Sequence, residues 1–83
     1  MKYHFKKVLE GIDENILLAD GFEDAFIGYI ERAGLPTVAC YNKTKCLKIL
    51  TKDMDTEEAE EFFYFNVLGA FVGEYTPCFI TLL

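Results

Sequence analysis

"EEFFYFNVLGAFVGEYTPCF", residues 60–79, sets four consecutive aromatic residues, Phe62 to Phe65, beside Asn66 and two glycines four apart, Gly69 and Gly73. On a helix turning about 100° per residue, Ala59, Phe62, Phe63, Asn66, Ala70 and Gly73 share one side. Glu61, Tyr64, Phe65, Leu68 and Val72 take the other. Such a helix is apolar around most of its second half, so it needs cover on more than one side. The domain's own sheet and helices can supply that cover, or a second protein can.

The start of this helix is legible in its chemistry. Asp55 is its cap, because its carboxylate can accept the amide of Glu58 while the Glu58 side chain returns to the amide of Asp55. Glu57, Glu58, Glu60 and Glu61 then lie near the positive end of the helix dipole. The pattern predicts a helix to about Val72, with Gly73 as terminator and Pro77 preventing a restart. Each interior Gly costs up to about 1 kcal/mol relative to Ala, so Gly69 and Gly73 call for an offsetting reason, such as a groove where another backbone comes close. Asn66 among the rings is expected to bond to a loop backbone, with the Asp20–Asp24 turn as the partner, or else to serve a ligand.

The flanking sequence completes the expected fold. "YHFKKVLEGI" places Phe5, Val8, Leu9 and Ile12 at helical spacing. "NILLADGF" is a short apolar run closed by the turn dipeptide Asp20-Gly21. "AFIGYIE" is rich in strand formers, with Gly28 marking a bulge. "RAGLP" is a turn, so residues 25–31 and 37–41 are expected to pair as an antiparallel hairpin. From Asn42 the period becomes helical, with Cys46, Ile49 and Leu50 on one face and lysines on the other. "CFITLL" reads as a last strand joining the hairpin. The expected architecture is a single α+β domain over residues 1–83, with two to three helices packed on one face of a small, mostly antiparallel sheet.

With 83 residues the chain is one domain, and a domain of this size buries only about 60% of its unfolded surface. Fourteen acidic against eight basic residues give a net charge of −6, which disfavours direct binding to nucleic acid phosphates or anionic membranes. The acids cluster at Glu10 to Glu31 and at Asp53 to Glu61, and the lysines at 43, 45, 48 and 52 lie between them. Cys40, Cys46 and Cys78 lack metal-ligand spacing in a chain without a signal-peptide pattern, and are expected as reduced thiols in cytoplasm. No apolar run is long enough to cross a bilayer.

Catalytic chemistry is hard to find. His4 is the one histidine and there is no serine, so neither a Ser triad nor a recognisable Cys–His nucleophile is present. Asp20, Glu23 and Asp24 cluster but lack the ligand alternation of a calcium loop. Neither a metal nor a cofactor is expected, and an enzyme is not. Aromatics without flanking basic residues argue against nucleic acid stacking.

"DGFEDAFIGY", "CYNKTKCLKIL" and "EEAEEFFYFNVLGAFVGEYTPCF" together resemble a family of small uncharacterised proteins encoded by bacteriophages and prophages. The shared patterns are Asp-Gly-aromatic-x-Asp-Ala and Phe-Asn-x-x-Gly-Ala-aromatic-Val-Gly-Glu-x-Thr-Pro, covering about residues 19–80. Asn42 stands where the family pattern has Asp, and Phe71 where Trp is common. The resemblance implies a phage gene acting in host cytoplasm and carries no activity with it. Together with the composition it leads to a non-enzymatic accessory protein that binds a host or phage protein, as an inhibitor of a defence or nucleic-acid-processing enzyme. Tyr64, Phe65, Leu68, Phe71 and Tyr75 are the expected partner-binding anchors. The alternatives are a small-ligand site at a polar patch of Asp20, Asp24, Asn66, Glu74 and Thr76, and a homodimeric structural domain.

Overall fold

The computed structural model describes residues 6–83; His4 and Phe5 lie outside the described residues. The order of elements is α1 (Lys6–Ile12), a 3₁₀ turn (Glu23–Ala25), β1 (Phe26–Arg32), β2 (Leu35–Asn42), α2 (Lys43–Leu50), α3 (Thr56–Phe62), a π-helical segment (Phe63–Leu68) and β3 (Cys78–Ile80). The expected α+β architecture with a small sheet is present. Strand order is β1-β2-β3, with β1 antiparallel and β3 parallel to β2.

The hairpin forms where the turn residues place it. Arg32 faces Leu35 across Ala33 and Gly34, and Gly34 takes a positive φ of 72°, a conformation that suits glycine. Pro36 near the start of β2 lacks an amide to offer the sheet; its carbonyl accepts from Arg32 Nε at 3.1 Å and Nη2 at 2.7 Å. The register slips between Phe26 and Gly28, so Gly28 does mark a bulge, as expected.

The third strand is shorter than "CFITLL" suggested and runs parallel to β2. Its last pair is Asn42 with Ile80, because Asn42 ends β2 and caps α2 by accepting the Lys45 amide at 3.2 Å. Beyond Ile80, β2 has no residue left to pair. The parallel direction follows from the helical crossover between the two strands.

The core forms around Tyr41, which is fully buried. Phe26 meets its ring edge-on with centroids 5.6 Å apart, and Phe79 lies at the same distance on a tilt of 31°. Phe63 completes the cluster against Phe79 at 5.2 Å. Ala25, Ala39 and Cys46 fill the space between, and Ile49 and Leu50 pack on it from α2. The apolar run after α1 is neither strand nor helix; Ile16, Leu18 and Ala19 rest on the core, and the Ala19 amide donates to Tyr41 Oη at 2.7 Å. On the other face of β2, Val38 and Cys40 are buried too.

Replacing Tyr41 with Phe keeps the ring and removes that acceptor. The expected result is a loss of about 1 kcal/mol and a fall in Tm of about 4–8 °C by thermal denaturation.

Candidate interaction surface

The capping box that starts α3 is formed as its sequence predicts. Asp55 Oδ1 accepts the Glu58 amide at 2.8 Å, and the Glu58 carboxylate accepts the Asp55 amide at 3.4 Å. One stripe of the helix then enters the core, with Ala59 and Phe63 fully buried and Val67 packed beside them.

After Phe62 the helix departs from expectation. It widens into a π-helical turn and stops at Leu68 rather than near Val72. The closing bond runs from the Gly69 amide to Tyr64 O at 3.1 Å, five residues back, as a π-turn requires. Gly69 stays right-handed at φ −77°, yet a Cβ there would lie 2.8 Å from Tyr64 O and 3.2 Å from Phe65 O. The close backbone approach that Gly69 allows is therefore made by its own segment. Gly73 does not end the helix. It sits at φ 107° in a separate turn, where Thr76 Oγ1 donates to Gly73 O at 2.6 Å and accepts from the Val72 amide at 2.9 Å. Gly69 and Gly73 thus form no helical groove.

The side of the wheel opposite Ala59 and Phe63 is the exposed one, as α-helical spacing places it. Phe65 is 79% exposed and Phe71 80% exposed, and Phe62, Leu68 and Val72 are exposed as well. Tyr64 stacks edge-on against Phe63 and its hydroxyl accepts from Lys43 Nζ, which braces the ring. Tyr75 is half-buried, and its hydroxyl donates to Asp13 Oδ2 at 2.6 Å. Of the five expected anchors, Tyr75 is the half-buried one, and Tyr64, Phe65, Leu68 and Phe71 are exposed. Phe62 joins them, a residue the α-helical wheel had put on the inner side.

Charge lies next to these rings. Glu57, Glu58, Glu60 and Glu61 are all exposed. Glu58 and Glu61 line a shallow concavity of 400 Å³ together with Met54, Phe62, Phe65 and Asn66. On the far side of Asn66 is a second groove of 280 Å³, walled by Leu17, Phe22, Val67 and Phe79 and reached by Thr76. Asn66 is exposed on the ridge between the two, rather than buried against the Asp20–Asp24 turn.

The residues of the expected polar patch are dispersed. Asn66 and Thr76 share the second groove. Asp24 lies in another concavity with Lys45, Lys48 and Lys52. Asp20 is exposed in its turn, and Glu74 offers its backbone carbonyl to Arg32 Nη2 at 3.0 Å. Among the described residues, no three His, Cys, Asp or Glu side chains are grouped to hold a metal ion, and no helix is long and apolar enough to cross a membrane.

Two outcomes follow from this geometry. Gly69→Ala, which helix propensity would favour, should destabilise the protein by about 1–3 kcal/mol, because the new methyl meets backbone carbonyls; denaturant unfolding reads this directly. The second concerns Tyr75 and Asp13. The Tyr75 hydrogen bond, then the Asn15 amide, holds the Asp13 carboxyl below its ordinary 3.8, so that contribution is present above this value and lost as pH falls through the folded pKa. The same bond raises Tyr75 above its ordinary 10.0, so its contribution is complete below 10.0 and lost as pH rises through the folded pKa. Tyr75→Phe should therefore lower Tm between about pH 5 and pH 9, with the gap from wild type closing at both extremes.

No protein-family model matches this chain, no curated protein matches it, and no solved structure matches its fold.

Proposed function

We propose that this chain is a non-enzymatic accessory protein, phage-encoded and working in the host cytoplasm, that binds a host or phage protein through the surface around Phe65. One observation carries the reading: Phe65 is 79% exposed and shares a concavity with Glu58 and Glu61. Aromatic anchors supply most of the energy of a typical interface, and flanking charge sets the encounter rate and the choice of partner. A partner with a basic surface suits these acids. Proteins that handle nucleic acid carry such surfaces, so blocking one of them is the inhibitory role that fits. Asn66, one residue of the pattern that resembles the phage family, lines the same concavity.

The test is affinity capture of the tagged protein from host lysate, followed by titration of the purified partner against three forms of the chain. Wild type should form a stoichiometric complex that survives moderate salt. Phe65→Arg should abolish it while folding stability stays within about 0.5 kcal/mol, as for other exposed positions. Glu57→Lys with Glu61→Lys, which leaves the Asp55–Glu58 capping box in place, should slow association more than it speeds dissociation. Capture that is indifferent to Phe65→Arg, or global unfolding of that variant, overturns the assignment.

A further inference from the structure

Cys40 of β2 stands directly opposite Cys78 of β3 in the parallel pair. Residues facing each other on neighbouring strands project to the same side of the sheet. Adjacent strands lie about 4.7–4.9 Å apart, inside the roughly 4.4–6.8 Å Cα separation that a disulfide spans. Both residues are free thiols. Their exposures differ in a useful way: Cys40 is 4% exposed, while Cys78 is only partly covered. A reagent from solvent meets Cys78 first, and Cys40 stands opposite it on the neighbouring strand.

We propose that Cys40 and Cys78 form a reversible dithiol site, closed to a cross-strand disulfide by a peroxide and reopened by a dithiol reductant. In the first step the Cys78 sulfur attacks one peroxide oxygen. The S–O bond forms, the O–O bond breaks, and the departing hydroxide takes the thiol proton as water. Cys40 sulfur then attacks the sulfenic sulfur of Cys78. The S–S bond forms, the S–O bond breaks, and hydroxide leaves with the Cys40 proton as a second water. The two sulfurs give up two electrons in total and the peroxide takes both, with no further co-reactant.

Cys40 takes the resolving role by its place opposite Cys78; burial first and the neighbouring Cys78 second push its thiol up to about 11, which makes it a poor first nucleophile towards peroxide. Cys46 is the internal control: it is fully buried in the core from α2, and burial pushes its thiol up to about 11 as well. The disulfide would close a covalent loop that contains α2, α3 and the whole π-helical segment, and would pin β3 to β2.

The experiment treats the native wild-type protein with a few equivalents of hydrogen peroxide, removes the oxidant, unfolds the protein in denaturant while capping remaining thiols with an alkylating reagent, and maps the peptides without reduction. The expected product is an intramolecular Cys40–Cys78 link with Cys46 alkylated, and dithiothreitol should return all three thiols. Closing a loop of this length should raise Tm on the order of 10 °C relative to the reduced protein. Cys46→Ala should give the same link, and Cys78→Ser should leave Cys40 as a thiol under the same treatment. The proposal is overturned if Cys40 and Cys78 both remain alkylatable after oxidation. It is equally overturned by a link to Cys46, a link between two chains, or oxidation of Cys78 past the sulfenic stage with no link.

Discussion

A fully buried tyrosine in the middle strand is the constraint on which the other elements depend. Tyr41 brings an aromatic ring and a hydroxyl into the same dry site, and the hydroxyl must find a partner there. The Ala19 amide is one such partner, so the irregular run after α1 is drawn onto the core although it has no ladder or helix of its own. Phe26, Phe63 and Phe79 gather at the ring cluster from β1, the helix and β3. In an 83-residue chain with a modest core, few other contacts tie so many separate segments together.

The long aromatic stretch is better understood from this centre than from its own periodicity. Ala59 and Phe63 are committed to the core, and the chain must then return to lay β3 alongside β2. Widening to a π-turn ends the helix early and spends the remaining residues on an extended connection. The rings left over cannot all reach the core, and those on the outer side are exposed beside the acids that stabilise the helix start. The same acidic residues thus serve the dipole of α3 and set the charge of the surface that Phe65 dominates.

What was legible in advance was local. The Asp55–Glu58 box, the bulge at Gly28, the turn at Gly34 and the inward face of Cys46, Ile49 and Leu50 depend on neighbours a few residues away, and all can be read from residue type and spacing. What was not legible depended on distant partners. A 100° wheel presumes α-helical hydrogen bonds, and nothing local distinguishes Gly69 as the donor of a five-residue bond from Gly69 as a packing residue. The wheel groups Asn66 with Phe62 and Phe63, but only Phe63 of the three is buried, because spacing alone does not tell which part of a helix side the rest of the domain covers. Of the five ring and aliphatic anchors named from composition, Tyr75 could not be known to be tied to Asp13, 62 residues away in sequence. The facing of Cys40 and Cys78 likewise needed the parallel register, which the hairpin pattern gave no reason to expect.

The parallel placement of β3 has a kinetic side. The β1–β2 hairpin closes a two-residue turn and can form early, whereas joining β3 to β2 means bringing together segments separated by two helices and the π-turn, at a larger entropic cost. Until that step is complete, the Phe79 side of Tyr41 and the inner face of Phe63 lack their cover. The folding chain therefore passes through a state with apolar rings and a strand edge both open. Its susceptibility to self-association should be greatest during that interval, and should fall once the last pairing seals the cluster.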